Sequence, residues 1–216
     1  MKVVVTGSAG LIGADLCRAL EGAVIERVVA LDDLSTGRGS NLEGIGADLV
    51  EGSILDADIL EHVCDGADAV VDLVARPSVP RSIADPMASH LVNATGTVSV
   101  LEAAQRAGVG HVIVASSSSV YGANPCLTES EDMFPQPRSP HVASKLATRS
   151  YALSWVASLG LRVLAFRFFN VFGLLQPADD AYAAVIPRSY QPPWTASRSR
   201  CTVTVDRPGI SPSWTA

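Results

Sequence analysis

Three glycines raise the first question of chemistry. Gly7, Gly10 and Gly13 stand as GxxGxxG in "VVVTGSAGLIGADL", after an apolar run and at the opening of an amphipathic one. In such a turn the first glycine permits the tight bend. The second lets backbone approach a pyrophosphate, and the third lets the helix pack closely. Amides at the helix N-terminus then face the phosphates, and Leu11 and Ile12 lie along the ligand. The next apolar run ends in Asp32, 19 residues beyond Gly13. A carboxylate there accepts both hydroxyls of an adenosine ribose and repels a 2′-phosphate. A purely structural turn would carry the same glycines, but the strand, helix and acid together predict a dinucleotide site, with NAD favoured over NADP.

A second constellation is "SPHVASK". His141 and Lys145 are four residues apart, one helical turn, so they share a face. Two readings stand for this pair: a proton-transfer couple, or two solvated surface residues. Imidazole titrates near pH 6.5, which suits proton transfer. Upstream, an apolar run ends in four serines, Ser116 to Ser119.

The elements that must position these residues alternate regularly. Strands are predicted at Val3–Val5, "VVALDD", "ADLVEGSI", "AVVDLVA", "HVIVASS" and "LRVLAFRF". Helices are predicted at "LIGADLCRALEG", ending at Gly22, at "LDADILEHVCDG", from Pro86 to Gly108, and at "SKLATRSYALSWVASLG". Pro at the start and Gly beyond the end delimit the Pro86 helix. Continuous apolar strands between helices predict an α/β fold with a doubly wound, mostly parallel sheet covered on both faces.

The 216 residues suffice for one good-sized domain, and 48% hydrophobic with 18% charged content supports a substantial core. A net charge of -6 and a pI near 5.1 argue against nucleic-acid and membrane-surface partners. No run approaches the ~18 apolar residues of a membrane span. Cys17, Cys64, Cys126 and Cys201 are scattered, without CxxC or metal-ligand spacing. They read as reduced thiols of a cytoplasmic protein, with no metal site.

Several ordered pieces between Met1 and about Arg188 carry a resemblance: "VTGSAGLIG", "LDDLSTG", "DLVARPSVPRSI", "VNATGT", "SSSSVYG", "SPHVASK" and "RFFNVFG". The chain resembles the NAD-dependent epimerase/dehydratases of nucleotide sugars, within the extended short-chain dehydrogenase/reductases, with UDP-glucose 4-epimerases the nearest type. The resemblance implies a Rossmann-type NAD-binding domain. It implies hydride transfer to bound NAD on a UDP- or dTDP-sugar, by 4-epimerisation or 4,6-dehydration.

The family's residue roles fall on this chain as follows. Asp32, Asp33, Ser35 and Thr36 match the adenosine-side loop. Ser53 and Ile54 stand against adenine, with Ser53 where the family usually has Asp. Leu73, Val74 and Ala75 match the strand end beside the cofactor, and Asn93 a helix Asn near it. Ser117 matches the catalytic Ser or Thr, and Lys145 the lysine that holds ribose and tunes the base. Phe168, Phe169 and Asn170 match the segment meeting nicotinamide and the sugar-nucleotide phosphates. Family dimers pair through long helices, here Pro86 to Gly108 and the helix carrying Lys145. Plainer roles exist for some: Asn93 satisfying buried backbone, the serines ending a strand, the Phe pair filling core.

His141 stands where the family has its catalytic Tyr. A free phenol titrates near 10, and a neighbouring ammonium and the positive nicotinamide bring it down. His141 has two readings. It can act as the base itself. Alternatively, its ring nitrogen stops roughly 2 Å short of the phenol oxygen, and a misplacement of about 1 Å can cost ~100-fold. The second reading gives a catalytically impaired NAD-binding remnant.

After Arg188 the composition changes abruptly. The segment 189–216 has no Leu, Lys, Glu or Phe and holds four prolines and two of the three Trp. It is expected to be an irregular tail following a 1–188 NAD-binding domain. With permitted codon choices, a neighbouring frame from Ser189 reads FVPAALDGEPVTVYGDGRQTRDFTFVD, resembling the family's next segment. Two readings stand, a natural variable C-terminus and a frameshift product lacking most of the C-terminal substrate lobe; the second is favoured, and it implies an exposed last strand and poor stability.

Overall fold

The computed structural model describes residues 1–176 except 22, 24, 126, 127 and 174. Within them, Met1–Leu175 form one compact unit. The predicted tail 189–216, the domain limit at 188, Gly22 at the end of the first helix, Cys126 and Cys201 lie outside the described residues.

Six strands form one parallel sheet: β1 (Lys2–Thr6), β2 (Arg27–Asp32), β3 (Asp48–Glu51), β4 (Ala69–Asp72), β5 (His111–Ser117) and β6 (Val163–Phe168). Their order is β3-β2-β1-β4-β5-β6, and every pairing is parallel. The order reverses between β1 and β4, the Rossmann-type switch point at which α/β sheets open a crevice.

Alternation along each strand divides the core into two layers. Val4, Leu31, Val70, Val112 and Val114 point to one face, where α2 (Ala57–Cys64), α5 (Gly96–Arg106) and α6 (Pro140–Leu159) supply Leu60, Leu101 and Ala152. Val3, Val5, Val28 and Ala30 point to the other, against Ala14 and Cys17 of α1 (Leu11–Glu21). Burial pushes the thiols of Cys17 and Cys64 up to about 11, so both are inert at neutral pH.

Local sequence sets the helix ends. Asp56 caps α2 by accepting from the amides of Asp58 and Ile59. Ser139 accepts from Val142 N, Pro140 opens α6, and Gly160 closes it at φ +69°. The expected Pro86–Gly108 helix is a continuous rod: α4 (Pro86–His90), a π turn (Leu91–Thr95) and α5.

Some boundaries differ from the sequence reading. β3 and β4 end earlier, so Ser53, Ile54 and Leu73–Ala75 sit in loops beyond the strands. α6 begins at Pro140, which places His141 in its first turn. A helix that periodicity did not signal, α3 (Val79–Ala84), follows β4; at six residues it is too short to show a period. Among the described residues no helix is long and apolar enough to cross a membrane.

β6 has the exposure expected of the last strand. Val163 and Ala165 pack toward α6, while Leu164 and Phe166 are 46% and 43% exposed on the opposite face.

Candidate functional site

Each strand of the sheet points its carboxyl end at one rim, and the sequence-predicted residues gather there. A cleft of about 820 Å³ opens at the switch point. Gly7, Gly10, Leu11, Ile12 and Gly13 line it from the β1–α1 turn. Asp32, Asp33, Ser35 and Thr36 line it from β2, Ser53 and Ile54 from beyond β3, and Leu73, Val74 and Ala75 from beyond β4.

The three glycines do different work. Gly7 has φ +69°, and a Cβ there would stand 2.9 Å from the Leu73 carbonyl carbon and from Val74 N. The turn thus touches the loop just beyond β4 across the switch point. A Cβ on Gly13 would lie 2.2 Å from Gly7 O and 2.6 Å from Ser8 Cα, so α1 starts directly on the turn's backbone. Gly10 meets only Gly7 O, at 3.3 Å, and leaves its side toward the cleft open. The first amides of a helix lack intrahelical acceptors, and those of Leu11, Ile12 and Gly13 come at the cleft wall. Ser8 Oγ, wholly buried in the turn, also has no partner. A bare backbone concavity with uncommitted donors fits a pyrophosphate.

Asp32 is 7% exposed and does more than the sequence suggested. One oxygen accepts from Ala9 N at 2.9 Å and the other from Leu34 N at 2.8 Å. It therefore ties the glycine turn to the end of β2. Leu34 adopts φ 55° in meeting it. Each carboxylate oxygen keeps a lone pair for a ribose hydroxyl. Asp33 Oδ1 accepts from both the amide and the hydroxyl of Ser35. Gly37, beside Thr36, is a site residue that the sequence pattern does not single out. It lines the cleft with no room for a Cβ, which would fall 2.8 Å from Ala9 Cβ.

The second group lies behind the cleft wall, between β4, β5 and α6. Lys145 is 5% exposed and donates from Nζ to Ala115 O at 2.8 Å. Burial brings its ammonium down to about 8, and Asp72 partly opposes this. His141 is brought below its ordinary value by burial first and by the Lys145 charge second, while the nearby Arg76 backbone pushes the other way. Its Nδ1 is buried without a partner. Arg76 itself lines the cleft, so His141 stands next to a cleft-wall residue. Ser117 ends β5, and its Oγ accepts from Ser119 N at 3.1 Å and from the Ser119 hydroxyl at 2.8 Å.

Three predicted residues are placed elsewhere. Asn93 is wholly buried: its Oδ1 accepts from Arg76 N at 2.7 Å, and its Nδ2 donates to Ser144 Oγ at 2.9 Å. It fixes the loop beyond β4 to α6, the plainer of its two readings, and does not line the cleft. Phe168 stacks on Phe166 with ring centroids 5.9 Å apart, and Asn170 is exposed; neither lines the cleft. The sequence reading did not single out Arg76, Pro77, Arg81, Val92 or Val171, all of which line it. The adjacent Ser78, at φ 96° in a non-glycine residue, marks this loop as constrained.

With this geometry in place, comparison with known proteins is decisive at family level. The family model described as "NAD dependent epimerase/dehydratase family" matches residues 3–192. The chain belongs to this family. It is 37% identical over 174 residues to UDP-glucose 4-epimerase of Azospirillum brasilense, covering 80% of this chain and 49% of that protein. Among solved structures, a UDP-N-acetylglucosamine 4-epimerase from Methanobrevibacter ruminantium, in complex with UDP-N-acetylmuramic acid, superposes with TM-score 0.82 at 36% identity. The match covers 86% of this chain and 60% of that one. The dTDP-glucose 4,6-dehydratase DesIV of Streptomyces venezuelae, solved with NAD bound, gives TM-score 0.73 at 33% identity, covering 77% and 55%. The chain spans about half the length of the curated relatives it matches.

Proposed function

We propose that this chain binds NAD and forms the cofactor half of a nucleotide-sugar epimerase or dehydratase acting on a UDP- or dTDP-sugar. The observation that carries this reading is the switch-point cleft, where the glycine turn, Asp32 and the Leu73–Ala75 loop converge while Lys145 stands behind its wall. Bound NAD supplies the hydride acceptor. The amides of α1 hold the pyrophosphate, and Gly10 gives it room. Asp32 holds the adenosine ribose and disfavours a 2′-phosphate. Ile54 and Ser53 flank the adenine. Ser117 holds the sugar oxygen, and Lys145 positions the nicotinamide ribose.

His141 decides how much turnover follows. Its lowered pKa leaves the ring neutral at pH 7 and able to accept a proton. The same shift makes it a weaker base, and imidazole is shorter than the phenol the family uses. A second reading, NAD binding without turnover, draws on this ring and its unpartnered nitrogen. The test is UDP-glucose turnover with NAD present, before and after His141→Tyr, in this chain and in one carrying the re-read frame beyond Arg188. The expected gain is about 100-fold. No gain while NAD remains bound would leave the non-catalytic reading standing.

Three finer points belong to the same proposal. The chain acts in the cytoplasm, which the buried, unpaired Cys17 and Cys64 support. Two copies pair through the helical face where Ile83, Met87, Tyr151 and Leu159 are exposed. Residues 189–216 are a frameshifted tail after a 1–188 domain, and sequencing the DNA around the Arg188 codon checks this.

A further inference from the structure

A buried carboxylate that the cofactor reading does not use stands at the centre of the sheet. Asp72 ends β4 and is 3% exposed. Its register partners are Thr6 on β1 and Val114 on β5. Val114 precedes Ala115, whose carbonyl accepts from Lys145 Nζ at 2.8 Å. Asp72 and the Lys145 head group therefore lie toward the same end of the sheet interior, away from solvent and without a direct ion pair between them.

The surroundings of Asp72 suit a charged carboxylate. The Thr6 hydroxyl donates to Oδ1 at 2.6 Å, and Val74 N donates to the same oxygen at 3.3 Å. The Thr97 hydroxyl lies nearby but gives its proton to Asn93 O at 2.7 Å, leaving those two donors on the carboxylate. Donors aimed at a carboxylate favour its ionised form. Lys145 spends one of its three ammonium protons on Ala115 O. An ammonium in so dry a place needs an opposite charge, since an unpaired buried ion is strongly disfavoured. The titratable groups facing Lys145 are Asp72 from β4 and His141 from its own helix. Asn93 and Thr97 from the helical rod and Thr148 from α6 contribute only neutral groups, the two threonine hydroxyls donating to Asn93 O at 2.7 and 2.8 Å.

We infer that Asp72 is a positioning carboxylate that keeps Lys145 charged inside the cleft wall and, through Lys145, sets the proton affinity of His141. Asp72 does not touch cofactor or substrate in this scheme; it acts through Lys145. Burial alone disfavours charge on both groups, raising the Asp72 carboxyl and lowering the Lys145 ammonium, and each charge partly restores the other. The catalytic meaning of this coupling rests on the function proposed above, but the coupling itself exists without cofactor.

The composition makes the test simple. The chain has two lysines, Lys2 and Lys145. With 13C-lysine labelling, the full chain without cofactor gives two side-chain titrations by NMR, and Lys2 is the internal control. In Asp72→Asn, the proton affinity of Lys145 is expected to fall at least about tenfold, with Lys2 unmoved. The His141 midpoint is expected to rise slightly toward its ordinary value, to the extent that the Lys145 ammonium is lost in the range where the ring titrates. A merely structural role for Asp72 would move neither. An unchanged or raised Lys145 midpoint overturns the inference. If Asp72→Asn does not fold, the parent chain decides. Its Asp72 carboxyl carbon, 13C-labelled, is expected to show an inflection at the Lys145 midpoint, and a featureless curve there is equally fatal. Absence of NAD binding would sink the functional proposal and leave these titrations intact, so the two failures are distinct.

Discussion

Burial across the sheet runs between two unlike ends, the central strand β1 and the edge strand β6. At β1, both faces are covered: Val4 and Val5 are wholly buried on opposite sides, and the turn beyond is locked by backbone contacts between Gly7, Ser8 and Gly13. At β6, one face packs on α6 and the other leaves Leu164 and Phe166 nearly half exposed, with Phe169 and Phe172 exposed just beyond. The first end joins a strand, a turn and a helix contiguous in sequence to the ends of β2 and β4 beside them. The second end leaves its apolar side chains exposed among the described residues. The cofactor cleft belongs to the first end, and two further predicted contacts, Phe168 to the cofactor and Asn170 to the substrate, belong to the second. This difference explains why the cleft is assembled while those two contacts are not gathered into it.

Substitutions at the two ends should behave very differently. The largest expected effect is Gly13→Ala. The new Cβ would fall 2.2 Å from Gly7 O, a backbone atom that cannot step aside. We expect a loss of about 3 kcal/mol or more, read by denaturant unfolding, together with loss of NAD binding. Wild-type stability in this variant would mean the turn is not locked as described.

An intermediate effect is expected from the region between the ends. Below pH 6.5 the unfolded chain takes up a proton that folded His141 resists, because its folded pKa is lowered. Its contribution to stability is therefore present above pH 6.5 and lost as pH falls. Melting temperatures from pH 7.5 to 5 should fall more steeply for the parent than for His141→Gln. Parallel profiles would show that the ring is not desolvated. The smallest effect is Leu164→Thr on the open face of β6, expected within ~0.5 kcal/mol of the parent. A large loss there would reveal that this face is covered in solution.

The same contrast governs what the sequence made legible. The parallel sheet, the glycine turn with Leu11 and Ile12, and Asp32 followed from apolar runs and glycine spacing, while the other eight predicted lining residues came with the family resemblance and the strand order only with the fold. Such runs and spacings act over short distances. Asp72 was hidden as one polar residue in an apolar strand, because its importance comes from Lys145, which is 73 positions away. Asn93 matched a family motif, yet only the fold shows it holding Arg76 and Ser144. Arg76 and Arg81 reach the cleft from a loop and a short helix with no period to read. The role of Asp32 in tying Ala9 and Leu34 was equally invisible, since backbone amides leave no mark in a sequence.

The central claim is that the glycine turn and Asp32 form an NAD site within this chain. Calorimetric titration of the full chain with NAD and then with NADP tests it most directly. The account predicts saturable binding of NAD at one site per chain and at least about tenfold weaker binding of NADP. No heat of binding with NAD, or equal affinity for NADP, would contradict it.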